Sequence, residues 1–268
     1  MEQNLMKRAG ERLRAIDEEI ARYLRPATFP LAIRMLPEAD GASARARKSS
    51  RDTGGKLALC QAIGICRRHG HSIVLSREDI GCPNALFFLG FARPPEDYWR
   101  GSIAFTPFNQ SEEARARRSR SLAFFPVGAF KAILIEPLAK ADFEPDLILI
   151  YGRPAQMMRL VQAETFRSGE PLPFSASGGG SCSMEIVKPM LEKQIGMVLP
   201  GNGERIFGLV QDDEMACSIP ICRIDELVAG LKDTHAGGQR YPIPAFGSAT
   251  PPMPPSYEAL LQSLGKED

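Results

Sequence analysis

The chain has 268 residues, 44% of them hydrophobic, which is enough to bury a full core in one large domain. Its formal net charge of +1 argues against a protein built mainly to neutralise nucleic-acid phosphates. The N-terminus mixes both charge signs, and no apolar run approaches the roughly 18 residues of a membrane span. We therefore expect a soluble, cytoplasmic protein that binds neither nucleic acid nor membrane.

The first third of the chain predicts helices and strands in alternation. Apolar residues at helical spacing from Leu13 to Leu24 predict a helix, and 30–36 predicts a strand. The basic segment 40–56 is interpreted as a solvated connector, with a mobile, substrate-facing loop as the alternative. A helix at 57–70, a strand at 72–76 and a helix at 81–91 follow; Pro83 fits the first helical position and places Cys82 at the N-cap.

The rest of the chain predicts further strands and helices. Strands are predicted for 131–138, 146–152, 205–211 and 215–221, and helices for 111–121, 155–166 and 223–231. We expect one compact α+β domain over 1–235, with a mixed, largely antiparallel sheet flanked by helices. Residues 236–268 are predicted to form a proline-rich tail whose short terminal helix, near Tyr257 to Leu264, packs on the body.

A glycine-rich stretch, FSASGGGSCS (174–183), runs into a predicted helix. Ser181 or Cys182 falls at the helix start, where free backbone N–H groups and the helix dipole favour a thiolate or a bound anion. Gly178, Gly179 and Gly180 allow positive φ and a close approach of another group to the backbone. We therefore expect the pKa of Cys182 to fall below the roughly 8.5 of a free cysteine.

The six cysteines form no C-x-x-C pair and no zinc-finger spacing. Cys60 and Cys66 are six apart on one predicted helix, which rotates them by about 240°, so only one of them can belong to a shared site. Cys217 and Cys222 lie in strand-like sequence and are predicted to be small buried hydrophobes.

Cys82 and Cys182 are candidates for functional thiols because each lies at a predicted helix start, although a structural role is the ordinary alternative. An enzyme that uses Cys182 as nucleophile or redox thiol would need a general base, which the sequence does not identify. The chain also lacks the G-x-S-x-G, Walker A and G-x-G-x-x-G signatures. Whether the protein is an enzyme stays open at this stage.

Several blocks taken together resemble a prokaryotic family known as domain of unknown function 169, or ArCR. They are LCQAIGICRRHG, EDIGCPNALFFLGF, DFEPDLILIYGRPAQMM, LPFSASGGGSC and DDEMACSIP. The resemblance runs roughly from Pro30 to Leu231, and the FEPD and G-x-P-x-Q-M pairing is its most specific part. It implies family cysteine positions at Cys60, Cys82 and Cys182, but no established activity.

The resemblance also points to a difference. Many family members have a further cysteine where this chain reads VLPGNGER (198–205). If the family site uses a fourth thiolate there, Asn202, Glu204, water or substrate would have to replace it.

Our leading hypothesis is that Cys60, Cys82 and Cys182 converge on a soft metal such as zinc, or on an iron–sulfur cluster, with an open fourth position. The partner would then be a small-molecule ligand or a redox protein; a homo-oligomer is also open. The alternative is a binding protein that holds a small anion or metabolite at the glycine-rich stretch. Its candidate residues are Gly178, Gly179, Gly180, Ser181, Arg153 and Arg205.

Overall fold

The computed structural model describes residues 2–38, 46–48, 52, 54–103, 108–172, 174, 176–244 and 253–264. Most of the basic segment 40–56 lies outside these residues, so its interpretation as a connector stays a prediction.

Seven strands of the described residues form one sheet. They are β1 (Leu31–Leu36), β2 (Arg47–Lys48), β3 (Ile73–Ser76), β4 (Ala132–Pro137), β5 (Leu147–Gly152), β6 (Gly196–Val198) and β7 (Met215–Pro220). Their order is β2-β3-β4-β1-β5-β7-β6. The β2 and β3 strands run parallel, and the other neighbouring strands pair antiparallel. The prediction of a mixed, largely antiparallel sheet is therefore confirmed.

Helices surround this sheet. They are α1 (Glu2–Leu24), α2 (Leu59–His69), α3 (Pro83–Phe88), α4 (Glu96–Arg100), α5 (Glu112–Ser121), α6 (Pro154–Ser168), α7 (Lys188–Glu192), α8 (Asn202–Phe207), α9 (Ile224–Ala236) and α10 (Pro255–Leu264). A π-helical turn, Ser183–Val187, leads into α7. Within the described ranges, no helix is both long and apolar enough to cross a membrane.

The sheet is covered on both faces, which explains why β4 and β5 are buried along their whole length. Side chains of a strand alternate between the two faces. On one face, residues such as Ile135 pack with α2, α3 and the π-helical turn. On the other face, residues such as Leu134 pack with α1, α6 and α9. The result is a three-layer α+β fold, and the residues analysed below lie on the α2 side.

The predicted strand at 205–211 is wrong. Residues 202–207 instead form α8, because Glu204 accepts a hydrogen bond from the backbone N–H of Gly201 and caps the start of this helix. The strand beside β7 is β6, which lies earlier in the chain. The apolar run that suggested a strand is instead exposed at Ile206 and Phe207.

The prediction for Cys222 is also wrong, whereas Cys217 is buried in β7 as expected. The β7 strand ends at Pro220, and a short 3-10 turn follows that leaves Cys222 exposed.

The terminal helix forms as α10, close to its predicted position. All described residues from Met253 to Leu264 are exposed, including the three leucines of this helix. The predicted packing of the helix on the body is therefore not seen among these residues.

Candidate thiol site

Cys60, Cys82 and Cys182 each lie in the first turn or at the cap of a helix. Cys60 is the second residue of α2, and Cys82 is the N-cap of α3 with Pro83 in the first helical position, as predicted. Cys182 follows Ser181, the residue at which the helical segment 181–192 begins. The predicted helix starts of Cys82 and Cys182 are therefore confirmed, whereas Cys60, predicted within a helix over 57–70, lies in the first turn of one that begins at Leu59.

Electrostatic effects connect these three cysteines. Beyond the effect of burial, negative charge on Glu204 and Cys82 raises the pKa of Cys60. Burial and negative charge on Cys60, Glu204 and Cys82 likewise raise the pKa of Cys182. The three thiols and Glu204 therefore lie within electrostatic reach of one another, although they come from four separate segments.

Two buried carboxyl groups adjoin the thiols. Glu204 is buried in the first turn of α8, and its Oε1 atom lies 2.9 Å from the hydroxyl of Tyr151. Glu185 is fully buried in the π-helical turn, with Oε2 at 3.1 Å from the same hydroxyl and Oε1 without a hydrogen-bond partner. π-Helical turns occur frequently at functional sites.

The two contacts of Tyr151 indicate where a proton lies. A single hydroxyl has one proton to donate, so it can hydrogen-bond to both carboxyl groups only if one of them is protonated. Burial and the neighbouring Glu204 raise the pKa of Glu185 well above its usual range. Glu185 is therefore the protonated group, and Tyr151 donates to Glu204.

Burial, rather than the helix start, dominates the acidity of the thiols. Burial raises the pKa of Cys60 to about 12, even though the backbone N–H groups of Cys60 and Gln61 act in the opposite direction. The pKa of Cys182 is also well above its usual value. The prediction of a lowered pKa for Cys182 is wrong, because the loss of hydration of a thiolate outweighs the favourable helix end.

The cation next to this cluster is already engaged. Arg67 is fully buried, with its guanidinium carbon 4.3 Å from the centre of the Tyr151 ring. Its Nη1 and Nη2 atoms form a two-point ion pair with Glu214, at 2.8 and 2.9 Å. Although burial opposes it, this pairing holds the pKa of Glu214 below its usual value. Arg67 is therefore committed to Glu214 rather than to the thiols.

The glycine-rich stretch adopts the backbone that its sequence predicts, with positive φ at Gly178 and Gly180. The residue that approaches this stretch closely is Gly201 of the same chain. A Cβ atom on Gly201 would lie 2.9 Å from the Cα of Gly179, and the Gly201 N–H donates to Ser181 Oγ at 2.9 Å. This contact joins the helix start of Cys182 to the helix start of Glu204.

The two arginines predicted near this stretch are engaged elsewhere. Arg153 pairs with Asp213 at 2.9 Å, and Arg205 donates to the carbonyl oxygen of Gln211 at 2.5 Å. The cation beside the glycines is Arg118, because a Cβ atom on Gly179 would lie 2.6 Å from its Nη2 atom.

Sequence reasoning missed Glu185 and Tyr151. Each had a local signal in the sequence. Glu185 is an acidic residue among the apolar residues of a predicted helix, and Tyr151 lies at the end of an apolar strand. The remaining cysteines lie apart from this cluster. For Cys66, the 240° rotation from Cys60 predicted this separation. Its Sγ atom lies 3.5 Å from the carbonyl oxygen of Ile135. In the described part of the chain, no three His, Cys, Asp or Glu side chains are arranged to hold a metal ion as they stand.

Fold and site together define an α+β protein with buried thiols and carboxyl groups on one side of a mixed sheet. The chain belongs to the family of domain of unknown function 169, described as uncharacterised ArCR, whose model matches residues 19–230. A relative from Methanocaldococcus jannaschii, named as an uncharacterised protein, is 24% identical over 175 residues, or 65% of this chain and 75% of the relative. No solved structure matches the chain significantly.

Proposed function

We propose that this protein binds a thiophilic metal, either as a zinc ion or as a small iron–sulfur cluster, through Cys60, Cys82 and Cys182. The observation that carries the proposal is that one buried and two half-buried thiols lie within electrostatic reach of the buried carboxyl group of Glu204, in a cluster whose neighbouring cation, Arg67, is already paired with Glu214. Such a cluster gains most from an added positive charge, because a bound cation favours the thiolate form that burial disfavours.

Glu204 fits the role of a fourth ligand or of a group that holds an exchangeable one. It lies in the segment for which the family resemblance implies a further cysteine, and its charge acts on both Cys60 and Cys182. Asn202, the other candidate in this segment, is exposed. A protein carboxylate is an ordinary oxygen ligand for zinc.

The unpartnered Oε1 atom of Glu185 is a second feature that suits an added cation. Since no three side chains among the described residues form a ready coordination shell, metal binding would require the thiols to rotate toward one another. When bound, the metal would supply Lewis acidity or electron transfer, and the protein's residues would exclude water and hold a proton on Glu185.

The small-anion alternative at Gly178, Gly179, Gly180 and Ser181 has weaker support. The chain's own Gly201 occupies the close approach to these glycines, and negative charge on Glu204 disfavours an anion nearby.

The proposal is tested by purifying the protein anaerobically and measuring zinc, iron and acid-labile sulfide. Metal-free protein is then titrated with Zn²⁺, or with Co²⁺ as a coloured reporter of thiolate coordination. Because burial raises the pKa values of Cys60 and Cys182, we expect binding to release protons from the coordinating thiols.

Serine at Cys60, Cys82 or Cys182 should each abolish tight binding and the thiolate-to-metal absorbance. Cys222→Ser is the matched control, because Cys222 is exposed and lies outside the cluster. Glu204→Gln should weaken binding by at least about tenfold. Full metal content in Cys82→Ser, or equal loss in Cys222→Ser, would contradict a site shared by the three thiols.

A further inference from the structure

A cavity of about 260 Å³ is lined in part by Tyr151. Its wall includes the end of β5, the first residues of α6, the chain after α1 and the segment before β7. The glycine-rich stretch and the three family cysteines do not line it. This cavity is therefore distinct from the site proposed for the metal.

Positive charge dominates the cavity. Arg25, Arg68 and Arg153 line it, together with the carboxylates of Asp213 and Glu214. The buried Arg67 already pairs with Glu214, and Arg153 pairs with Asp213 at 2.9 Å. Three guanidinium groups thus line the cavity with two carboxylates. Arg67 does not line it but pairs with Glu214, so that counting Arg67 leaves two positive charges uncompensated.

The two remaining arginines have free donor capacity. Among the described residues, Arg25 has no ion-pair partner, and the Nε atom of Arg68 is buried without an acceptor. The terminal nitrogen of Arg68 instead contacts Leu209 O at 2.6 Å and Glu214 at 3.3 Å. The Arg25 guanidinium can therefore donate to a ligand oxygen without breaking an ion pair among the described residues.

The backbone that presents Arg25 is held in place. Arg25 adopts a positive φ of 50°, which is unfavourable for a residue with a Cβ atom. The buried amide of Gln156 donates to the carbonyl oxygens of Leu24 and Arg25, at 2.8 and 2.9 Å. The first turn of α6 therefore fixes the position from which Arg25 faces the cavity.

We propose that this cavity binds a small molecule carrying a doubly charged oxyanion, with inorganic phosphate as the simplest member of the class. Guanidinium groups match the oxygens of phosphate with two-point hydrogen bonds, and two unbalanced positive charges match its dianion. The volume leaves room for a small organic group attached to the anion, beside the half-buried Tyr241.

The test is calorimetric titration of metal-free protein with inorganic phosphate, with ionic strength held constant by sodium chloride. Arg25→Gln should weaken phosphate binding by about tenfold or more, because a hydrogen bond to a charged group is lost. Arg22→Gln is the matched control: it removes the same charge from the exposed surface of the adjoining helix and should leave affinity unchanged.

A second variant is expected to strengthen phosphate binding, which misfolding could not do. Asp213→Asn removes a carboxylate from the cavity and frees Arg153, so it should strengthen phosphate binding several-fold. Absence of phosphate binding, equal weakening by Arg22→Gln, or weakening by Asp213→Asn would overturn the proposal. Binding should persist in Cys182→Ser, so the outcome does not depend on whether a metal binds.

Discussion

The hydroxyl of Tyr151 lies 2.9 Å from Glu204 Oε1, while the same residue lines the arginine-rich cavity. Tyr151 thus belongs to the surroundings of both proposed sites. A ligand in the cavity would touch a residue that also holds Glu204 in position beside Cys60 and Cys182.

Tyr151→Phe keeps the ring and removes this connection. The variant leaves Glu185 and Glu204 without the hydroxyl to which both hydrogen-bond. We therefore expect a loss of about 1 to 3 kcal/mol in the free energy of unfolding. Metal affinity should fall while phosphate affinity changes little. Denaturant titration and the two binding assays measure these effects, and unchanged stability would show that the hydrogen bonds contribute nothing.

Glu185→Gln should change how stability depends on pH. Because burial raises the folded-state pKa of Glu185, folding favours its protonated form, and stability is lost as pH rises above the unfolded value near 4.3. The loss is about 1.4 kcal/mol per pH unit until the folded-state pKa is reached. Glutamine cannot ionise, so the metal-free variant should gain stability over the wild type between pH 5 and pH 8.

Denaturant titrations across this pH range test the expectation. Glu192→Gln is the control, since Glu192 lies at the end of the same helical segment but is exposed. If both variants follow the wild-type pH profile, Glu185 is not held protonated.

Gly201→Ala tests the contact that joins two helix starts. Its Cβ atom would lie 2.9 to 3.0 Å from atoms of Gly179, Gly178 and Ser181, so we expect a stability loss of about 1 to 3 kcal/mol and weaker metal binding. Gly203→Ala is matched in helix and chemistry but meets nothing within 4 Å, and it should be neutral or stabilising. Equal effects of the two variants would mean that the contact is unimportant.

Thiol reactivity should follow exposure and pKa rather than helix position. In metal-free native protein we expect Cys222 to alkylate first, because it is exposed, whereas burial raises the pKa of Cys182. Cys217, fully buried in β7, should react last. Peptide mass spectrometry after timed alkylation gives the order; faster labelling of Cys182 than of Cys222 would restore the idea of a helix-start thiolate.

Local patterns in the sequence determined much of this protein. Continuous apolar runs bounded by proline and glycine predicted the buried strands β4 and β5, and Pro83 and Gly70 marked one helix start and one helix end. These features depend on neighbours within one or two turns of the chain, so they are encoded where they occur. The family blocks and the positions of the three cysteines on their helices are visible for the same reason.

Only the tertiary structure decided which groups meet and how acidic they are. Tyr151 and Glu204 are 53 residues apart, and the pairing of Arg67 with Glu214 spans 147 residues. The sign of the pKa shift at Cys182 was unpredictable from its helix start, because desolvation depends on every element that packs around the thiol. A helix end is a local property, whereas burial is a property of the whole fold.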